Sequence, residues 1–182
     1  MQRFVLRVTR APVLATHSSL RHFTPGWERN MADDMVRALT GNGGVIMINF
    51  GSSFLRTQYQ DSDVQRTAAR QLRERGMDPN SPEGRVFMEQ QRKANPVGTV
   101  EDVADHIDHV VHLVGVEHVG LGSDYDGVFA LPAGLLDVST YPNLITELLE
   151  RGYSEADIKL ILGENLLRVW SEVERIAGSV DR

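Results

Sequence analysis

Residues 118–127 read His118-Val119-Gly120-Leu121-Gly122-Ser123-Asp124-Tyr125-Asp126-Gly127, and this stretch decides the fold. A short apolar run gives way to small residues and then to two aspartates beside a glycine. That is a strand over 118–124 that ends in a polar loop. Two earlier segments repeat the theme. Val45-Ile46-Met47-Ile48-Asn49-Phe50 is a continuous apolar run, as expected of a strand covered on both faces. Pro12-Val13-Leu14-Ala15-Thr16 is a shorter buried strand, opening at His17-Ser18-Ser19 into a polar loop.

Helical patterns fill the space between and after these runs. Met31 to Leu39 suits a helix with Asn30 as its N-cap, stopped by Gly41-Asn42-Gly43-Gly44. Residues 56–93 are rich in Arg, Gln and Glu, with Pro79 and Pro82 near the middle. They read as two exposed helices joined by a turn, an excursion from the main body over 56–97. Thr99 to Val114 is amphipathic, with Val100, Val103, Ile107, Val110 and Val114 near helical spacing and a Thr99/Asp102 capping box. Two more helices follow, Ser154 to Leu162 with a Ser154/Asp157 cap and Asn165 to Ile176. Strands alternating with helices imply parallel pairing and right-handed crossovers. The expected class is therefore α/β, with the whole chain, 1–182, forming a single domain. His17 and Asp124 sit just past strand C-termini, where barrels and open α/β sheets both place their chemistry.

Composition removes several functions. The 182 residues are 41% hydrophobic and 24% charged, with a net charge of −6, so no basic surface for nucleic acid is expected. No cysteine is present, which excludes disulfides and thiolate metal sites. No apolar run approaches the roughly 18 residues that span a bilayer. The opening residues, Met1 to Arg7, lack the apolar core of a signal peptide, so a soluble, cytoplasmic protein is expected. Glycines 41, 43 and 44 do not form a dinucleotide fingerprint, and neither a P-loop nor a GxSxG elbow occurs.

Taken singly, the polar residues have two readings each. His17 is either a structural histidine or a metal ligand. Arg29 is either a solvated loop cation near a helix start, where the dipole disfavours it, or a bidentate carboxylate binder. Asp124 is either a turn residue or a proton carrier at a strand end. Asn49 could line the pocket with its amide. His106, His109 and His112 recur every three residues. They lack the spacing and the glutamate of HExxH, and read as a partly buried helix face bonded to backbone or carboxylates. His22 and His118 read as structural.

Seven segments, in order, give the chain a resemblance: APVLATHSSLRH (11–22), ERNMADDMVRAL (28–39), GGVIMINFGSSF (43–54), VEDVADHIDHV (100–110), VEHVGLGSDYDGV (116–128), LDVSTYPNLITELLERGYSE (136–155) and GENLLRVW (163–170). Together they resemble the renal (membrane) dipeptidases, zinc enzymes of peptidase family M19. The resemblance implies a (β/α)8 barrel, of which this chain would supply the C-terminal part, about the last three βα units. It also implies hydrolysis of dipeptides at two zinc ions, and relatives that form homodimers. Family zinc ligands come from an early His-x-Asp, a bridging Glu and two later histidines; the last of these matches His17. By the same resemblance Arg29 binds the substrate's terminal carboxylate, and Asp124 handles the proton and the substrate amino group. With one metal ligand in view, the alternatives are a truncated, non-catalytic fragment with exposed strand edges, or a carboxylate-binding module.

Overall fold

The computed structural model describes residues 5, 6 and 8–180. Three short strands pair in parallel: β1 (Leu14–Ser18), β2 (Val45–Ile48) and β3 (Val119–Leu121), in the order β1-β2-β3. Leu14 pairs with Val45, and Ile46 with Val119. The central strand is covered on both faces, as its unbroken apolar run requires, with Val45, Ile46 and Ile48 fully buried. Helices dominate the rest of this α/β fold. They are α1 (Asp33–Gly41), α2 (Ser52–Leu55), α3 (Val64–Glu74), α4 (Pro82–Ala94), α5 (Val100–Val114), α6 (Tyr141–Glu150), α7 (Glu155–Lys159) and α8 (Asn165–Val180).

Helix α5 packs on the sheet through Val103, Ile107 and Val110, all fully buried, and begins in the expected Thr99/Asp102 capping box. Its aspartates at 102, 105 and 108 form a polar ladder. Arg56 pairs with Asp102 (2.8 Å) and Asp105, while Arg151 pairs with Asp105 (2.8 Å) and Asp108 (2.6 Å). The Ser154/Asp157 box opens α7 as expected. A π-helical turn, Leu160–Glu164, then separates α7 from α8. At the start of α8, buried Asn165 donates to the carbonyls of Val116 and Val119 (2.8 Å each), tying that helix to the entry of β3.

Three local expectations are revised. His17 and Ser18 lie inside β1 rather than in a loop after it. The third strand is confined to Val119–Leu121, since His118 closes a 3-10 turn and its Nδ1 contacts the Gly44 carbonyl at 2.9 Å. Asn30 does not cap a helix. Helix α1 starts at Asp33 with Ala32 in the cap position, and its N-terminal dipole is met by Asp33 and Asp34. Asn30 is instead fully buried, donating to Thr24 Oγ1 and the Phe54 carbonyl (2.8 Å each). A tertiary demand has taken the side chain that the local rule assigned to a cap.

The region read as an excursion holds α3 and α4, which pack on each other through Ala68, Leu72 and Phe87. It also returns to the body: Arg92 donates to the Tyr125 carbonyl (3.4 Å) and Lys93 pairs with Asp137 (2.9 Å). Among the described residues, no helix is long and apolar enough to cross a membrane.

Candidate active site

The site begins at the C-terminal ends of the strands. His17 is exposed near the end of β1, with Thr16 Oγ1 2.9 Å from its Nδ1. That local contact leaves Nε2 as the nitrogen able to meet a ligand. From β1 the chain enters the loop 19–32, which carries Arg29. The loop is held by backbone bonds at both ends, Met31 N to the Ser19 carbonyl (2.9 Å) and Arg21 N to the Met31 carbonyl (2.8 Å). Arg29 therefore lies before α1 rather than on its first turn, and the dipole argument made for it from sequence does not apply. Its Nη2 donates to the His17 carbonyl at 2.9 Å, and its guanidinium lies over the Phe54 ring, 5.1 Å from the centroid. The remaining guanidinium donors stay available to a ligand.

Across the sheet, Asn49 follows β2 and is fully buried. Its backbone N–H donates to the Ser18 carbonyl (2.8 Å), its Oδ1 accepts from Gly51 N (2.7 Å), and its Nδ2 donates to Asp124 Oδ2 (2.9 Å). Asn49 thus orients Asp124, a sharper role than the pocket lining read from sequence. Asp124 has φ of 57°, the one positive φ outside glycine among the described residues. Aspartate tolerates the left-handed region better than most residues, but the conformation still carries strain that the surroundings must impose. Two glycines make the arrangement fit. A Cβ at Gly127 would overlap the Asp124 carboxylate, and a Cβ at Gly122 would overlap the Thr16 carbonyl oxygen. The end of β3 accordingly comes against the end of β1. Asp126 is exposed in the same loop.

Arg29, His17, Ser18, Asn49 and Asp124 thus form one path of hydrogen bonds and adjacent residues across the strand ends. Beside it lies a cavity of about 250 Å³, lined by Phe54, Tyr59, Ser62, Gly127 and Val128 among others. Phe54 also carries the Arg29 guanidinium, so one ring borders both features.

The loop is anchored from behind by α5. His106 is fully buried: Leu20 N donates to its Nδ1 (3.1 Å), and its Nε2 faces the Leu55 carbonyl (3.0 Å). Because a backbone N–H can only donate, Nδ1 is the acceptor, and the proton sits on Nε2. Burial pushes the His106 imidazole down to about 4, so it is neutral at ordinary pH. His112 Nδ1 contacts the Asp108 carbonyl oxygen at 2.7 Å and His109 Nε2 contacts Asp33 Oδ1 at 3.0 Å, so this histidine series is bonded to backbone and carboxylate as expected.

The family profile described as membrane dipeptidase (peptidase family M19) matches residues 1–181. The chain belongs to the membrane dipeptidase family. It is 40% identical over 179 residues to the dipeptidase aclJ of Aspergillus oryzae, covering 98% of this chain and 34% of that protein. Among solved structures it is similar to the probable dipeptidase PvdM from Pseudomonas aeruginosa, at 30% identity and a TM-score of 0.72, over 96% of this chain and 48% of that one. It is also similar to a metallo peptidase from Rhodobacter sphaeroides liganded with a phosphinate mimic of the dipeptide L-Ala-D-Ala. That match has 27% identity and a TM-score of 0.68, over 94% of this chain and 39% of the other. The chain spans about a third of the length of the curated relatives it matches.

Membership of a metallopeptidase family implies a metal. A zinc centre takes three or four protein donors. Among the described residues, the His, Asp and Glu side chains close enough together to share an ion are His22, Asp33 and His109, and His17 is not one of them. Among the described residues His17 belongs to no group of three such donors, so those residues do not make up a complete zinc centre around it. The His22 cluster escaped the sequence reading, because Asp33 and His109 stand 76 positions apart and His22 carries no motif.

Proposed function

We propose that this chain serves dipeptide hydrolysis, supplying the carboxylate-binding and proton-handling side of a membrane-dipeptidase active site. In this reading its three parallel strands and their helices are a contiguous C-terminal part of a (β/α)8 barrel, with residues 56–97 an excursion docked on it. Arg29 holds the terminal carboxylate of the dipeptide. Its planar fork suits bidentate capture, and its bond to the His17 carbonyl together with the Phe54 ring fixes the fork in place. Capture of a terminal carboxylate at a fixed distance from the reacting bond also restricts the substrate to two residues. Asp124 accepts a proton from the attacking water and delivers it to the leaving amine, while Asn49 keeps one carboxylate oxygen turned to a set position. His17 would be one donor to a zinc ion whose other ligands lie outside the described residues.

The observation that supports this reading is the bonded path from Arg29 through His17 and Asn49 to Asp124. The test is metal analysis and Gly-containing dipeptide hydrolysis by the purified chain, its Arg29→Ala and Asp124→Asn variants, and the chain mixed with a separately expressed N-terminal portion of a relative. Turnover that is lost in either variant supports the proposal. Turnover equal in all three proteins refutes the roles of both residues.

The incomplete donor set at His17 among the described residues favours a second reading, in which the chain binds small carboxylates through Arg29 without turnover. Calorimetry with a dipeptide in chelator, abolished by Arg29→Ala, would support it over the first if no mixture hydrolyses the dipeptide.

A further inference from the structure

We propose that His22, Asp33 and His109 form a second metal site, separate from His17, that takes one zinc-like transition-metal ion and ties the Arg29 loop to α1 and α5. The donors come from three segments that the chain has no local reason to bring together. His22 sits on the 3-10 turn Arg21–Phe23, Asp33 is the first residue of α1, and partly buried His109 lies in the C-terminal half of α5. One ligand atom from each lies within 4.8 Å of the other two.

The distances fit an ion. Two donors held about 2.0–2.2 Å from one metal, at an angle near the tetrahedral or octahedral value, stand roughly 3 Å apart. His109 Nε2 and Asp33 Oδ1 are 3.0 Å apart, so this pair matches an edge of a coordination shell as well as a hydrogen bond. His22 is the adjustable member. It is exposed, and it rests on the His109 ring with centroids 4.3 Å apart and planes inclined by 30°. Rotation of that one exposed side chain brings its nitrogen toward the Asp33–His109 pair, and water completes the shell.

Donor chemistry selects the ion. Two imidazoles and one carboxylate suit zinc and its first-row neighbours. Calcium and magnesium prefer oxygen shells, so they are poor candidates. The consequence for the fold lies in the loop 19–32. Its two ends are already fixed by the Ser19–Met31 and Arg21–Met31 backbone bonds, and an ion at His22 would pin its outer turn as well. The cluster shares no residue with the path from Arg29 to Asp124, and the proposal does not rest on dipeptide hydrolysis.

The test is a Co²⁺ titration of the metal-stripped chain, followed by visible d–d absorption and confirmed by Zn²⁺ competition. Wild type and His17→Ala are expected to bind about one equivalent at this site, with His22→Ala and Asp33→Asn weaker by roughly tenfold or more. Equal affinity in His22→Ala and wild type would overturn the proposal, as would loss of all binding in His17→Ala alone. Absence of a d–d band in wild type overturns it too. Should Asp33→Asn fail to fold, His22→Ala decides the matter, because that side chain is exposed and circular dichroism can confirm its fold.

Discussion

Replacing His106 by alanine should destabilise the chain strongly at neutral pH and much less in mild acid. The imidazole is fully buried and satisfies two backbone groups, the Leu20 N–H and the Leu55 carbonyl. Alanine leaves both without partners, at roughly 1–3 kcal/mol each, and adds a cavity against Phe23, whose ring centroid lies 4.4 Å from the imidazole. A loss of about 4 kcal/mol at pH 7 follows from those terms. The pH dependence has a definite sign. The folded imidazole is held down to about 4 by burial, whereas the unfolded one titrates near 6.5. Between those values the unfolded chain binds a proton that the native chain refuses, so the histidine's contribution is complete above about pH 6.5 and falls as pH drops toward 4. Each pH unit in that window is worth about 1.4 kcal/mol. From pH 7 to pH 4.5 the stability gap between wild type and His106→Ala should therefore narrow by roughly 2 kcal/mol. Urea denaturation of both proteins at a series of pH values measures the gap directly, and carboxylates common to both largely cancel. A gap that stays constant or widens on acidification would show that His106 is not held neutral by burial.

The remaining predictions concern the strand ends. Gly127→Ala should fold with a lowered melting temperature, because the added methyl displaces the Asp124 carboxylate from its bond to Asn49; any turnover supported by the chain should fall, read by a dipeptide hydrolysis assay. Asn49→Leu should lower stability by roughly 2 kcal/mol in urea melts, since Gly51 N and the Asp124 carboxylate lose their partner inside the protein. Asp124→Gly relieves the left-handed backbone but leaves the buried Asn49 amide without its acceptor, so it should lower stability by roughly 1 kcal/mol net and should lose turnover in the same hydrolysis assay.

Much of this architecture is legible in the sequence because it rests on local signals. The run Val45 to Phe50 can only be a covered strand or a short buried helix, and its length and flanking glycines choose the strand. The Thr99/Asp102 and Ser154/Asp157 boxes mark helix starts through bonds made within four residues. The misjudged features all depend on partners distant in sequence. Asn30 looks like a cap until Phe54 and Thr24 claim its amide. Arg92 reads as one more cation on an exposed helix, yet it is a tether to the Tyr125 carbonyl. The spacing of His106, His109 and His112 describes a helix face correctly, but it cannot reveal that His22 and Asp33 arrive beside one of the three. For the candidate site, the residue types at 17, 29 and 124 are visible in sequence, whereas the amide that aims Asp124 emerges only from the pairing of β2 with its neighbours.

The way Arg29 is held bears on why position 17 is a histidine at all. Arg29 donates to the carbonyl of residue 17, a group that every amino acid provides. The ring makes one contact, to the adjacent Thr16 hydroxyl, and is exposed. Strand β1 needs no imidazole at that point, and no described hydrogen bond from elsewhere in the fold depends on one. Folding therefore accounts for Asn49, Asn30 and His106, each buried and fastened to several partners, but it does not account for His17. The exposed ring has no described hydrogen bond at Nε2, which is compatible with the ligand role proposed above. The ligand role proposed for His17 therefore predicts that His17→Ala will leave the urea midpoint of the chain close to wild type while removing any metal held there, and a large loss of stability would refute it.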